Sequence, residues 1–167
     1  MDIFWSEFLH GIPTSEVLTR VMIRLLAAIL LGALIGFERQ RAGKSAGIRT
    51  HILVSFATCL LVSSASGMSQ DGVSRIIQGI VTGIGFLGAG SILKADERHH
   101  IAGLTTAASI WMTAAIGIVV GSGALGIAII STVLALIVLA AFKPLEQKLI
   151  RRQNEKDEGP QDPEIPA

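Results

Sequence analysis

The chain has 167 residues, of which 50% are hydrophobic and 16% are charged, and its mean hydropathy is +0.60. This composition is typical of a membrane protein and argues against a soluble globular domain. A formal net charge of +1 gives no basic excess for nucleic-acid binding, and the lone cysteine, Cys59, excludes an internal disulfide.

We interpret residues 1–20 as an interfacial N-terminal segment. Apolar residues from Phe4 to Ile12 recur at near-helical spacing, which suits a short helix lying along the membrane surface. Pro13 ends that stretch. The acidic Asp2, in place of positive charge, argues against a cleavable signal peptide.

Five apolar stretches follow, each about as long as a helix that crosses the hydrocarbon core of a bilayer. We therefore predict an all-α integral membrane protein with about five transmembrane helices in one domain. Residues 143–167 are expected to form a cytoplasmic, mostly disordered tail, which begins with a short basic helical extension and is Pro- and acid-rich beyond Gln153. The predicted spans cover about residues 21–37, 51–67, 76–93, 104–120 and 124–142.

The distribution of basic residues predicts how these spans are oriented. With five spans, eleven Lys and Arg residues fall on one side of the membrane and three on the other. Because basic residues concentrate in cytoplasmic loops, the N-terminus is predicted outside and the C-terminus in the cytoplasm. Four or six spans would divide the basic clusters between both sides, so the charge pattern favours five.

The third predicted span, residues 76–93, is an uncharged apolar run rich in glycine. Each glycine in a helix interior costs about 0.8 to 1 kcal/mol relative to alanine, so we expect close helix packing to compensate. We interpret this span as a central helix packed on two sides. A helix broken at glycine, with carbonyls lining a polar path, is the alternative. The first span also has a pair of glycines four residues apart. The predicted packing glycines of the two spans are therefore Gly32, Gly36, Gly79, Gly83, Gly85, Gly88 and Gly90.

The same span imitates a dinucleotide-binding loop, since Gly83, Gly85 and Gly88 have the G-x-G-x-x-G spacing. That loop requires a preceding strand, a following helix N-terminus and an acidic residue about 20 residues later, and none of these is expected here. The sequence also has no Walker-type phosphate loop and no defensible pair of nucleophile and base. We therefore predict no enzyme and no cofactor, with Mg²⁺ as the one candidate ligand or substrate.

Ionisable residues that could serve a cation path are few and divided. Glu38 is predicted on the cytoplasmic side and Asp71 outside, about 30 Å apart, so they cannot share a site within one chain. We expect Glu38 to pair with Arg49, either as a structural ion pair or within a polar site that faces the cytoplasm. Asp71 is expected to stabilise the start of the third span, four residues before Arg75. No set of converging metal ligands can be assigned, so a midplane path would depend on polar groups such as Gln78.

Four sequence blocks, in order, give the chain a resemblance to a known family. They are GALIGFERQ at residues 32–40, AGIRTH at 46–51, GIGFLGAG at 83–90 and GLTTAASIW at 103–111. In this combination the chain resembles the MgtC/SapB family of bacterial inner-membrane proteins. The resemblance implies about five membrane spans and a cytoplasmic C-terminus, in agreement with the charge pattern.

The resemblance also implies a function in adaptation to low Mg²⁺ and, in intracellular pathogens, in survival inside host phagocytes. It implies action by modulation of other membrane systems, such as the ATP synthase or a transporting ATPase. Longer family members carry a folded cytoplasmic C-terminal domain, and we expect this chain to be a short member without it. Transferred position by position, the candidate functional residues are Glu38, Arg39, Arg49, Asp71, Arg75, Gln78, Thr105 and Thr106.

Two functional hypotheses follow from these observations. The first is a multi-pass inner-membrane protein that supports growth at low Mg²⁺, and virulence, by modulating a partner ATPase or transporter. The second is a small channel or carrier for Mg²⁺, another cation or a solute, which would need a homo-oligomer or a broken third helix. A purely structural subunit is a third alternative. In every case the lipid bilayer is an expected partner and nucleic acid is not.

Overall fold

The computed structural model describes residues 14–92 and 103–141, together with Phe4 and Ser6. Its helices are α1 (Ser15–Arg41), α2 (Ile48–Ser64), α3 (Gln70–Ile92), α4 (Leu104–Gly121) and α5 (Leu125–Ala141). The described residues contain no β-strand, and the predicted all-α fold with five helices is confirmed. By length and composition α1, α3 and α4 can cross a membrane, and α2 and α5 are apolar helices of 17 residues.

Helix α1 begins before the first predicted span. Residues 15–20, which we assigned to the interfacial segment, form its first turns. The Arg20 guanidinium donates a hydrogen bond of 2.6 Å to the Glu16 carboxylate one turn earlier, and such a pair supports a helix start. The other residues of the interfacial segment, except Phe4, Ser6 and Thr14, lie outside the described residues, as does the tail at 143–167. The predicted orientation in the membrane stays a prediction.

The bundle is organised around α4, which packs against each of the other four helices. Helix α2 lies between α1 and α4, whereas α5 packs on α1 and α4 from the other side. Helix α3 is peripheral, because it contacts α4 and, to a smaller extent, α2. The expectation of a central third helix packed on two sides is therefore wrong for the single chain.

Helices α1 and α2 approach closely at two glycines of α1. A Cβ atom added at Gly32 would lie 2.7 Å from the carbonyl oxygen of His51, and one at Gly36 would lie 2.6 Å from the Cα of Ile48. Real Cβ atoms do not come so close to backbone atoms. The absence of a side chain at these two positions is what lets the two backbones touch.

Helices α2 and α4 touch in the same way, through glycines that the sequence analysis did not select. A Cβ at Gly117 would collide with the Thr58 side chain, and one at Gly121 would lie 2.8 Å from the carbonyl oxygen of Cys59. Helix α2 is thus held between a glycine pair on α1 and a glycine pair on α4.

The glycines of α3 behave differently from those of α1 and α4. A Cβ added at Gly79, Gly83, Gly85 or Gly90 would meet no atom within 4 Å, and one at Gly88 would reach only the Ala107 methyl, at 3.7 Å. Isoleucine side chains fill the contact with α4 instead, since Ile80 and Ile84 are the buried residues of α3. Because the bulky isoleucine side chains of α3 pack on α4, the glycine-rich side of α3 faces outward.

The start of α1 is joined to the end of α4 by Arg24. Its Nη1 atom donates a hydrogen bond of 2.9 Å to the carbonyl oxygen of Gly121, one of the last-turn carbonyls that an α-helix leaves without a partner. The following turn passes close to the same guanidinium. Gly123 has φ +87°, and a Cβ there would lie 2.6 Å from Arg24 Nη2, so this turn requires glycine.

Candidate functional site

Polar side chains form an interior surface where α1, α2 and α4 meet. On α2 and α4 they recur at steps of three or four residues, which places them on one face of each helix. We call this surface the polar seam. Its residues, all buried, are Arg39, His51, Ser55, Thr58, Thr106, Ser109 and Thr113.

One end of the polar seam holds an ion pair between neighbours on the last turns of α1. Arg39 is only 2% exposed, and both its Nε and Nη2 atoms contact a single carboxylate oxygen of Glu38. The Glu38 side chain is 20% exposed and faces the bundle end. A buried guanidinium needs such a partner, because removing it from water without compensation is very unfavourable.

His51 connects α2 to α4 within the seam. Its ring is fully buried, with Nδ1 2.9 Å from the Gly47 carbonyl oxygen and Nε2 3.3 Å from the Ser109 hydroxyl. A carbonyl can only accept, so Nδ1 carries a proton. His51 therefore joins its own helix to the hydroxyl groups of α4.

The Ser109 hydroxyl has two candidate acceptors and one proton. It donates a bond of 2.8 Å to the Thr106 carbonyl oxygen and also lies next to His51 Nε2. If Nε2 is unprotonated, the two acceptors compete for that proton. If Nε2 is protonated, the ring donates to Ser109 and both bonds form together.

Further along the seam the hydroxyl groups are satisfied by their own helices. Thr58 donates to the Val54 carbonyl oxygen at 2.9 Å, and Thr113 donates to that of Ser109 at 2.8 Å. Such bonds let a hydroxyl lie in an apolar interior without a partner on another helix. Ser55 is the exception among the described residues, since its buried Oγ atom has no hydrogen-bond partner.

A largely apolar cavity of about 370 Å³ adjoins the seam between α1, α4 and α5. Thr105 and Ser109 supply polar atoms to its wall, and Met112 and Leu139 are among its apolar lining. Thr105 thus faces this cavity, while the neighbouring Thr106 belongs to the seam.

Apart from Thr105, the predicted site residues fall into two groups, one at the seam and one exposed. Glu38, Arg39 and Thr106 lie at the seam. Arg49 is exposed, and the expected pair with Glu38 is replaced by the Glu38–Arg39 pair, because the adjacent guanidinium is already buried against that carboxylate. Asp71 lies in the first turn of α3 and is exposed, as are the other two predicted residues of that helix, Arg75 and Gln78.

The outward side of α3 is a second polar surface, which we call the open face. Its residues follow one another at steps of four and three, directly opposite the isoleucines that pack on α4, so they form one line along the helix. Their side chains make no hydrogen bond to another side chain and no ion pair in the described part of the chain. The open face consists of Asp71, Arg75, Gln78, Thr82, Phe86 and Ala89, flanked by Gly79 and Gly83.

Sequence reasoning missed His51 as a site residue. A signal was available, since His51, Ser55 and Thr58 follow the i, i+4, i+7 spacing within an otherwise apolar helix. Polar residues at that spacing in a membrane span indicate a face turned toward other helices. Within residues 14–92 and 103–141, no three His, Cys, Asp or Glu side chains converge as metal ligands.

Comparison with known proteins gives a family and several relatives. The model described as MgtC family matches residues 25–148. Protein SrpB of Synechococcus elongatus is 44% identical over 144 residues, which cover 78% of this chain and 79% of SrpB. Putative magnesium transporter YhiD of Escherichia coli is 46% identical over 148 residues, which cover 83% of this chain and 66% of YhiD.

A third relative, Protein MgtC of Salmonella typhimurium, is 41% identical over 128 residues, which cover 77% of this chain and 54% of that protein. The chain therefore spans little more than half the length of this relative. No solved structure matches. Since the family model covers most of the chain, from the first helix to beyond the last, the chain belongs to the MgtC family.

Proposed function

We propose that this protein supports adaptation to low Mg²⁺, and the virulence of a pathogen that carries it, by modulating another transport protein or ATPase of the bacterial inner membrane. Membership of the MgtC family supports the connection with Mg²⁺, as does the name of the relative YhiD, a putative magnesium transporter. The relatives named above are not named as enzymes. We propose accordingly that the chain acts through contacts and not through catalysis.

The observation that carries this proposal is the close packing at the centre of the bundle. Helix α2 touches α1 at Gly32 and Gly36 and touches α4 at Gly117 and Gly121, so tightly that a single Cβ would collide. Seam hydroxyls in the same region bond to carbonyls of their own helices. Such close packing leaves little room for a solute path through one chain. It favours a rigid bundle that acts through its outer surface.

A second candidate function, transport of Mg²⁺ or another small solute, is favoured by one observation. The open face carries Asp71, Arg75 and Gln78 on one line of a helix long enough to span the membrane. Such a line could border an aqueous path only if several copies surrounded it, since none of the described residues of one chain faces it.

The test is Mg²⁺ entry into liposomes that contain the purified full chain, followed with an internal indicator. We expect the same entry as in protein-free liposomes, with and without an imposed membrane potential. In parallel, the gene is expressed in a bacterium that lacks its own family member. We expect growth at limiting Mg²⁺ to be restored, because modulation requires the cellular partner that liposomes lack.

Two results would overturn the proposal. Protein-dependent Mg²⁺ entry that the Glu38→Gln or Gly83→Leu variant reduces would establish transport instead. Failure to restore growth, with folded protein present in the membrane and no flux in liposomes, would leave a structural role as the remaining alternative. The Val133→Leu variant, on the exposed side of α5, is the matched control in both assays because that position faces neither polar surface.

A further inference from the structure

The open face of α3 has the wrong chemistry for contact with lipid. A helix at the rim of a membrane bundle normally turns its apolar side chains to the acyl chains and its polar ones inward. Helix α3 departs from this pattern, since Ile80 and Ile84 are buried against the chain while the open face exposes Gln78. Its exposed residues are mixed, because Thr82, Phe86 and Leu87 are exposed as well. This arrangement indicates that the open face is covered by something other than lipid.

The position of the polar groups in the predicted span supports this argument. At 1.5 Å per residue, and with the span starting at about residue 76, Gln78 lies about 3 Å and Thr82 about 9 Å inside the apolar stretch. Thr82 satisfies its hydroxyl on the Gln78 carbonyl oxygen at 2.9 Å. The Gln78 amide has no side-chain partner among the described residues. An amide within the apolar stretch is more favourable with a hydrogen-bond partner than without one, so Gln78 would gain from a partner on another chain.

We propose that the open face is the interface of a parallel homodimer, in which α3 packs against α3 of a second copy. Two copies inserted with the same topology are related by a two-fold axis along the membrane normal, so equivalent residues meet at equal height. An amide both donates and accepts, and Gln78 can therefore pair with Gln78 of the second copy.

The charges at the start of α3 are complementary under the same symmetry. Asp71 and Arg75 are exposed and lie one turn apart on the open face, and neither forms an ion pair within the described chain. Across a two-fold axis, Asp71 of each copy lies diagonally opposite Arg75 of the other. The dimer thus forms two reciprocal ion pairs, whereas a partner of unrelated sequence would have to supply a matching pair of charges by itself.

The shape of the open face also suits a helix of its own kind. Gly79 and Gly83 form a Gly-x-x-x-Gly pair beside Gln78 and Thr82, and their Cα atoms are open to any approaching backbone. Phe86 is 81% exposed and follows Gly83 by about one turn of α3. A large ring and the space beside a glycine therefore lie at nearly the same height in the membrane. A hollow of about 610 Å³ lined by both glycines runs beside it, between α2 and α3, and offers space for that ring.

Crosslinking in membranes tests the homodimer with the full chain. A Thr82→Cys variant is treated with a membrane-permeant bismaleimide, and Val133→Cys, at the middle of the exposed side of α5, is the matched control. We expect a product of about twice the 17.6 kDa of the chain from Thr82→Cys only. The unmodified protein should give none, because its one cysteine, Cys59, is buried. Monomers only, equal yields at both positions, or a product with a different protein would each overturn the proposal.

Charge exchange gives a second test that does not depend on cysteine chemistry. We expect the Asp71→Arg variant to lose the dimer in a detergent that preserves it for the wild type, because four like charges then meet. Adding Arg75→Asp restores opposite charges at the diagonal positions, and the dimer should return. If the double variant is no more dimeric than the single one, the reciprocal pairing is wrong.

The Gly83→Leu variant separates assembly from folding. A Cβ there meets no described atom within 4 Å, so the monomer should fold normally, but the leucine would fill the hollow that the dimer offers to Phe86 of the second copy. We expect wild-type helical content with loss of the crosslink in the Thr82→Cys background. A full crosslink yield would show that the glycines do not face a second copy. This dimer is independent of the proposed function, since an unaltered dimer that fails to restore growth would reject only the latter.

Discussion

The polar seam and the open face of α3 are both polar surfaces on apolar helices, but only the seam is closed within one chain. Both combine glycines with small polar side chains on helix faces. In the seam, Gly32 and Gly117 touch the α2 backbone and the hydroxyl groups mostly have partners. On the open face, Gly79 and Gly83 touch nothing and Gln78 has no side-chain partner.

This difference teaches that glycine and polar residues in a membrane helix indicate contact with protein. They do not show whether that protein is the same chain or another one. Helix α5 shows what a face made for lipid looks like, because its exposed residues are aliphatic, among them Ile127, Ile130 and Leu134. The open face resembles the seam and not α5. We therefore regard it as an interface whose second half lies on another copy.

The largest expected contrast is between glycines of the two surfaces. The Gly117→Leu variant should lose more than about 3 kcal/mol of folding free energy, because its side chain would overlap Thr58 and the α2 backbone. The Gly83→Leu variant should unfold at the wild-type denaturant concentration in monomeric form. Unfolding in mixed micelles, followed by circular dichroism, measures both. Equal destabilisation of the two variants would remove the distinction between the surfaces.

A smaller contrast is expected between the arginine of the polar seam and the arginine of the open face. The Arg39→Ala variant leaves Glu38 without its charged hydrogen-bond partner, which should destabilise the fold by about 1.5 to 3 kcal/mol. Arg75→Ala removes an exposed side chain with no ion pair in the described chain, so the monomer should change by less than about 0.5 kcal/mol. Pulse proteolysis at fixed denaturant reports both values. If Arg75→Ala proved the more harmful variant to the monomer, the open face would have a contact within the chain.

Removing the amide of the open face should leave the monomer intact and weaken assembly. The Gln78→Leu variant loses no hydrogen bond within the described chain, so its monomer stability should stay within about 0.5 kcal/mol of wild type. Its dimer should dissociate at a lower dilution in detergent, by about the 1 kcal/mol that interhelical hydrogen bonds contribute in membranes. Energy transfer between labelled copies measures the dissociation. An unchanged or stronger dimer would place Gln78 outside the interface.

The smallest effect is expected inside the seam, at its one unpartnered hydroxyl. Ser55→Ala removes a buried oxygen that makes no hydrogen bond, so stability should be unchanged or slightly increased. Thr58→Val is the matched control, because it removes a hydroxyl bonded to Val54 and should be mildly destabilising. Thermal unfolding of the pair measures the difference. A marked loss with Ser55→Ala would mean that its hydroxyl has a partner, such as a water, within the seam.

How far the site could be predicted depended on the kind of interaction. Thr106 and Arg39 were selected from the family resemblance, and both lie in the seam. The expected pairing of Glu38 with Arg49 was wrong, because sequence distance across a loop does not show that Arg39 is turned inward beside the carboxylate. His51 was missed because the pattern of its helix, read alone, is mostly apolar.

The sequence by itself determined that the chain is an all-helical membrane protein with five apolar helices, because hydropathy and helix length are local properties of each segment. Only the tertiary structure decided which helix is central and which glycines are in contact. A glycine has no side chain, so its pattern is the same whether it meets a neighbour, as Gly36 does, or faces outward, as Gly83 does. The choice between them depends on how the isoleucines of α3 orient that helix against α4, which is a property of two helices together.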